Sequence, residues 1–574
     1  MKGSGSGLRL PLLACVVGLV VAFGGVGLLE LIALITNVSY HGHFSSHHAV
    51  PGYATLGMWG MLVPVVGGLL IGLIARFGSP DVRGHGIPEA MQGVMMKQSR
   101  IPLRVAFLKP LASAISIGTG GPFGAEGPVI ATGGAIGSLF GQWIPSSTVE
   151  RKILLASGAA AGMTAAFGTP VAGVLLCIEL LLFEFRSRSM IPVALAAGAA
   201  MAVRVCFGEA YPMLPLEVVN APGPMLAGSS AMVGLISGLV AVGITHALHG
   251  IEHLFEKLPI HWMWWPALGG VAVGICGWLD VRTLGPGYAN LESLLAGSPT
   301  LTAMATLFVF KFLSWSICLG SGTSGGTVAP VMTLGGAVGG MVALSLHIIP
   351  GLEQVPVGLL VLVGMVSVFA GVSRAFLTSV AFGLEATHAT WAGGPLLLGC
   401  ALAVLVSRIC MHESMMTEKL ARKGVRVPVD YEPDVLHGLH VGEVMLAEPK
   451  TVPPDMMVSA LAERIVSTDP LWNAARLFPI VDDGKVLLGV VSRADILAAV
   501  NEVPQSTVLE AGVTEVITIH ATASLSEAAD RMILRSVGRL PVVDEEDPPR
   551  LRGLISRREI LQARQHRLDA EKRI

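Results

Sequence analysis

Two glycine-rich stretches about 200 residues apart constrain this chain more than any other feature in it. Residues 118–137 read GTGGPFGAEGPVIATGGAIG and residues 320–339 read GSGTSGGTVAPVMTLGGAVG. Aligned, Gly118, Gly120, Gly124, Pro128, Gly133, Gly134, Ala135 and Gly137 fall on Gly320, Gly322, Gly326, Pro330, Gly335, Gly336, Ala337 and Gly339. A second match follows at nearly the same spacing. GTPVAGVLLCIELL (168–181) lies over SRAFLTSVAFGLEA (373–386) and pairs Glu179 with Glu385. Two matches in register predict two equivalent halves, and hydrophobic segments interrupted by Gly and Pro within such halves mark a transporter or channel built from broken helices.

The solvent for those halves follows from composition. Of 574 residues, 52% are hydrophobic and 14% charged, and the mean hydropathy is +0.68. That is too apolar for an ordinary soluble protein. Stretches such as 10–35 and 354–372 are long enough to cross a bilayer as helices. The first lacks the short apolar core and cleavage site of a signal peptide. Charge is unevenly spread: 45 of the 78 charged residues lie in the last 162 positions. A membrane part is therefore expected over 1–412, a last helix and linker over 413–437, and a soluble tail beyond. Lys2 and Arg9 precede the first span and Arg76 and Arg83 follow the next, while the 37–56 loop has histidines but no Lys or Arg. This asymmetry puts the N-terminus, the 76–88 loop and the tail in the cytoplasm of a multi-pass protein of the plasma or inner membrane. The seven cysteines all lie in the apolar part without a CxxC pair and read as small buried hydrophobes. No metal-ligand cluster, nucleophile–base set or phosphate loop stands out, so the chain is not read as an enzyme. No cofactor is required, and the partners expected are the lipid bilayer and small anions, not nucleic acid.

A Gly-Pro break starts a helix in mid-membrane, where its first N–H groups lack partners and its dipole end is positive. Pro128 and Pro330 each suit a first helical turn. Two such ends facing one another make an anion site without Lys or Arg. Within GPFGAEGPVI (121–130), Glu126 is an acid among glycines, prolines and apolar residues. An ionisable residue at membrane depth points to function.

GHGIPEA (84–90), GAEGP (124–128) and GTVAP (326–330) resemble the three anion-site motifs of the CLC chloride channels and transporters. FGTPVAGVLLCIE (167–179) and SRAFLTSVAFGLE (373–385) resemble that family's paired core helices. The resemblance implies an α-helical polytopic CLC fold of two inverted-topology halves, and a homodimer with one anion pathway per subunit. It implies that Glu126 is the gate: a carboxylate is itself an anion, occupying an anion site when ionised and leaving it when protonated or displaced. It assigns anion binding to His85, Gly86, Ile87, Gly124, Ala125, Gly127, Val328, Ala329 and Met416.

Several positions depart from the family pattern. His85 stands where a serine hydroxyl usually donates to the central anion. Aligning ESMMTEKLARKG (413–424) with the family's last helix puts Met416 at a tyrosine position, and a thioether cannot donate. Val328 replaces the usual aromatic. Leu180 stands where proton-coupled members commonly carry an internal glutamate, so the usual proton-relay position is lost. His85 offers another proton site. Glu89 reads as a first-turn helix acid, and Glu179 and Glu385 as residues that fix helix packing or cap backbone groups.

The tail has its own repeat: GVVSRADI (489–496) recurs as GLISRREI (553–560). Each follows a strand-like run, FPIVDDGKVL and LPVVDEEDPPRL, with helical stretches at 456–466 and 524–535. These units resemble a tandem α/β CBS pair, with CBS 1 over 438–500 and CBS 2 over 507–566. By resemblance Ser492 and Ser556 lie near phosphate and Asp495 near ribose hydroxyls of an adenine nucleotide, with Glu559 in place of the second aspartate. Many such pairs bind no nucleotide and serve dimerisation only.

The function expected is thus a CLC-type anion channel or passive transporter, chloride by default, gated by Glu126 and regulated by its CBS pair. One alternative is a proton-coupled antiporter of chloride or fluoride, which stoichiometric proton flux would reveal. Another is a membrane-bound nucleotide sensor with a non-conducting pathway, which absence of anion flux would reveal.

Overall fold

In a computed structural model of the chain, the described residues are 6–207, 213–216, 224–424, 436, 439–466, 469–546 and 548–571. Two compact units, Met1–Tyr431 and Glu432–Ile574, divide it. Most of the linker expected before 438 lies outside the described residues.

The first unit is helical. Its leading half holds α1 (Ser6–Thr36), α2 (Val63–Phe77), α3 (Ile87–Met96), α4 (Leu103–Gly118), α5 (Glu126–Trp143), α6 (Thr148–Phe167), α7 (Pro170–Cys177) and α8 (Ser187–Cys206). The second half answers element for element with α9 (Pro224–Glu256), α10 (Trp265–Leu279), α11 (Tyr288–Leu295), α12 (Leu301–Gly320), α13 (Val328–Leu346), α14 (Val357–Ser373), α15 (Phe376–Thr387) and α16 (Gly393–Cys410). Packing repeats as well: α1 lies on α6 and α8 as α9 lies on α14 and α16, and α5 pairs with α6 as α13 pairs with α14. Among the described residues, eight helices are long and apolar enough to cross a membrane.

The pair α7 and α15 shows how the halves are related. Glu385, near the C-terminal end of α15, accepts the Val171 and Ala172 amides at 2.9 and 2.8 Å, at the start of α7. Glu179, past the C-terminal end of α7, accepts the Leu377 and Thr378 amides at 2.9 Å each and the Thr378 hydroxyl at 2.6 Å, at the start of α15. Each acid supplies the cap that its partner helix lacks. Equivalent helices that cap each other in this way run antiparallel, so the halves are inverted.

The helix expected over 413–424 is short. Only Glu418–Arg422 forms a helix, α17. Ser414 and Thr417 hold the preceding turn, each amide donating to the other's hydroxyl oxygen at 3.0 and 3.3 Å. Such local bonds compete with helix, and Gly424 stops the helix in a left-handed conformation, φ +76°.

The second unit holds α18 (Val441–Val444), α19 (Val458–Val466), α20 (Pro470–Ala474), β1 (Leu477–Val481), β2 (Leu487–Ser492), α21 (Arg493–Glu502), α22 (Val508–Ala511), β3 (Ile519–His520), α23 (Leu525–Leu534), β4 (Arg539–Val543), β5 (Leu551–Ser556) and α24 (Arg557–Glu571). Antiparallel β1–β2 and β4–β5 share a register, Leu477 opposite Ser492 and Arg539 opposite Ser556, and both shift before their last pair. In the second sheet β3 adds parallel to β4. A bridge from Val452 to Ile480 takes the equivalent place beside β1.

Candidate functional site

Three helix starts converge on one point, and glycine makes the approach possible. Gly124 and Gly326 exchange backbone hydrogen bonds at 3.2 and 3.0 Å, and Gly84 bridges Ser324. A Cβ on Gly86 would overlap the Gly127 carbonyl, one on Gly127 the His85 carbonyl, and one on Gly326 the Gly124 carbonyl. Gly84 and Gly86 have φ +95° and +98°, which a side chain would strain. The chain thus threads the starts of α3, α5 and α13 together backbone to backbone.

Glu126 is the first residue of α5 and is fully buried. Its carboxylate lies over Gly124, where a Cβ would collide with it. The amides of Glu126 and Ala329 are turned toward it, and Oε2 has no hydrogen-bond partner among the described residues. Oε1 accepts the Tyr288 hydroxyl at 2.7 Å. A buried charge is tolerated only where donors and dipoles replace water; here two helix starts and a phenol take that place.

Two cavities flank this point. One, of about 360 Å³, is lined by Arg83, Gly84, Glu89, Glu252, Lys419 and Arg422. The other, of about 460 Å³, is lined by Glu30, Thr36, His48, Ala125, Arg204 and Tyr288. They lie at the C-terminal ends of α9 and α1, which the inverted relation puts on opposite faces.

The profile of the family described as "Voltage gated chloride channel" matches residues 67–408, more than half of the chain. The chain belongs to this family. "Voltage-gated ClC-type chloride channel ClcB" of Escherichia coli is 28% identical over 421 residues, 72% of this chain and 99% of that one. A slow cyanobacterial Cl⁻/H⁺ antiporter shares the fold at TM-score 0.66 and 24% identity, covering 72% of this chain and 98% of its own. A eukaryotic CLC transporter does so at TM-score 0.59 and 20% identity, over 96% of this chain and 98% of its own. The profile of the CBS domain matches 441–502 and 510–566.

In this CLC protein the residues assigned to anion binding fall into two groups. The Gly86 amide donates to Glu89 Oε2 at 2.6 Å, that of Gly124 to Gly326, and that of Ala125 to the Tyr288 oxygen at 3.3 Å. These three donors are engaged within the protein. Ile87, Gly127, Val328 and Ala329 open their helices, in the turn where helical bonding leaves N–H groups over. His85 is buried, and its Nδ1 has no partner among the described residues. Met416 is buried in the turn before α17, and α17 packs on α3. Glu418 meets His249, and Lys419 meets Glu252 at 3.2 Å, fastening α17 to the end of α9. Leu180 is buried in the π-turn Ile178–Leu182, which also packs on α3.

Two features escaped the sequence reading. GPGYANL (285–291) is the second-half counterpart of GHGIPEA, with Gly285 and Gly287 again at positive φ, +62° and +80°. Lys109 and Lys311, 202 residues apart, sit behind these two loops. Lys311 Nζ donates to the Thr283 and Gly285 carbonyls at 3.0 and 2.8 Å. Lys109 Nζ reaches those of Val82, Arg83 and Gly84 at 3.4 Å each and Glu89 at 3.8 Å. The repeated G-x-G and the lysine spacing were visible signals; the glycine tracts around Glu126 outweighed them.

In the CBS unit, Ser492 and Asp495 serve each other. The Asp495 amide donates to Ser492 Oγ at 3.3 Å, and the Ser492 amide to Asp495 Oδ2 at 2.8 Å. This is a capping box at the start of α21. At the start of α24 the Ser556 amide donates to Glu559 Oε2 at 2.8 Å, and the Ser556 hydroxyl meets the same oxygen. All four side chains named for a nucleotide are engaged in helix starts.

Proposed function

We propose that this protein conducts a small anion, chloride by default, between the two cavities, and that Glu126 gates the passage. The observation that carries this reading is the seat of Glu126, a fully buried carboxylate at the meeting of the α5 and α13 starts and between two cavities. An anion that takes the same seat replaces the carboxylate charge for charge. The helix-start amides of Ile87, Gly127, Val328 and Ala329 serve as its donors, and His85 takes the role of the usual serine. With its unpartnered nitrogen, His85 tunes which anion is preferred. Leucine at 180 offers no proton relay, so conduction is passive. Proteoliposomes loaded with chloride test this. Efflux unaccompanied by stoichiometric proton uptake is the expected result; absence of any anion flux would sink the reading.

A second reading draws on two structural relatives described as Cl⁻/H⁺ and fluoride/proton antiporters. Under it, His85 and Glu126 pass protons against the anion, and a fixed proton-to-anion ratio in the same assay would favour it. For the CBS unit we propose a regulatory and dimerising role in the cytoplasm. The engagement of these side chains in the starts of α21 and α24 supports this role over a nucleotide site built from Ser492, Asp495, Ser556 and Glu559.

A further inference from the structure

The first half of the site has Ile87 as the first residue of α3; the second half has Tyr288 as the first residue of α11. Tyr288 has the only phenol among the described residues that donates to the gate carboxylate. Its oxygen also accepts the Ala125 amide at 3.3 Å, one residue before Glu126. One hydroxyl is therefore tied to both the backbone and the side chain of the gate. The ring is held in turn: it meets Phe167 edge-on, with centroids 6.5 Å apart, and its loop is fixed by Lys311 bonding to the Gly285 carbonyl. Tyr288 lines the larger of the two cavities.

We infer that Tyr288 is a latch on the gate, a positioning residue whose hydroxyl holds Glu126 in the anion seat and sets how readily an incoming anion displaces it. This rests on the reading of Glu126 as the gate. The chemistry favours such a role. A phenol is a single donor, and a hydrogen bond to a charged acceptor is stronger than a neutral one. An anion arriving from the Tyr288 side must break this bond to take the seat. Protonated Glu126 gains less from a phenol donor than the carboxylate does. The bond therefore favours the closed, ionised arrangement over every open one. The second half contributes this latch because its break carries an aromatic where the first half carries an aliphatic residue.

The test measures chloride efflux from proteoliposomes for wild type, Tyr288→Phe, Glu126→Ala and the double variant, over a range of external chloride. Tyr288→Phe keeps the ring and its contact with Phe167 and removes the hydroxyl, both the donor to Glu126 and the acceptor of the Ala125 amide. It is expected to raise efflux by up to about tenfold, the ratio set by one charge-assisted hydrogen bond, and to lower the external chloride needed for half-maximal flux. In the Glu126→Ala background the same change should alter neither quantity. A fluorinated tyrosine at 288, a stronger donor of nearly the same shape, should lower efflux below wild type. Should Glu126→Ala raise efflux while Tyr288→Phe leaves it unchanged or lower, the latch is wrong and the gate stands. A rise with Tyr288→Phe that persists without Glu126 would make Tyr288 a steric plug and overturn the latch. If Glu126→Ala leaves efflux at the wild-type level, the gate reading fails and takes the latch with it.

Discussion

The two halves of the membrane unit share a backbone and differ in chemistry. At the equivalent breaks, α5 opens with Glu126 and α13 with Val328; α3 opens with Ile87 and α11 with Tyr288. Lys311 closes its loop with two short bonds to carbonyls, whereas Lys109 spreads longer contacts over three carbonyls and Glu89. What is common to both halves is what the fold demands: glycines at close crossings, prolines in first turns, and an acid at the end of each short helix. What differs is what surrounds the seat, since one half supplies the Glu126 carboxylate and the other the Tyr288 phenol that donates to it. An inverted repeat can thus stay symmetric in its scaffold while its site becomes one-sided.

Substitutions that strike the shared scaffold should cost most. Gly326→Ala would force a Cβ into the Gly124 carbonyl, and overpacking of that kind costs about 3 kcal/mol. We expect a large fall in the melting temperature of the purified protein and loss of efflux; Gly326→Ala with wild-type stability would break the claim that the halves meet backbone to backbone. The reciprocal caps come next. Glu179 accepts three hydrogen bonds and is buried, so Glu179→Gln is expected to cost about 2 kcal/mol. Glu385 accepts two and is half-buried, and Glu385→Gln should cost about half as much. Equal melting temperatures for the two variants would show that the pair is symmetric in energy as well as in position.

His85 comes third, as a residue of one half only. His85→Ser should keep conduction and change the order of preferred anions, with ratios shifting by about tenfold for a difference near 1.4 kcal/mol. An unchanged selectivity series across chloride, fluoride, bromide and nitrate would reduce His85 to a spacer. The smallest effect is expected in the tail. Asp495→Ala removes half of a capping box at the start of α21 and should cost about 1 kcal/mol. Hydrogen exchange on the full chain should show faster exchange at the start of α21 and none at α24. Protection of α21 by an adenine nucleotide in wild type, lost in the variant, would instead make Asp495 a ligand contact.

Much of this was legible in the sequence because it is carried by residues with special backbones. Glycines and prolines at a fixed offset marked the two halves and the helix breaks, and an isolated acid in such a tract marked Glu126. The caps by Glu179 and Glu385 were legible as a repeat-related pair, since acids in apolar helices must find donors. Tyr288 was not, because its role depends on a contact across 162 positions of sequence that no local pattern encodes. The short α17 was obscured by family expectation, although Ser414, Thr417 and Gly424 signalled a turn. The tail held a subtler case. S-R-A-D and S-R-R-E at 492–495 and 556–559 fit the capping-box pattern as well as a ligand pattern, and the structure forms the cap at Ser492–Asp495.

On the proposed reading, the Glu126 carboxylate, seated where the two halves meet, closes the pathway. Chloride efflux measured from acid to neutral pH in wild type and Glu126→Gln tests it most directly. Glutamine keeps the shape of a protonated gate but cannot ionise. Efflux through wild type should fall as the pH rises, because the ionised gate returns to its seat, while efflux through Glu126→Gln should stay near the acid value of wild type throughout. A variant whose efflux follows the same pH course as wild type would mean that Glu126 is not the gate.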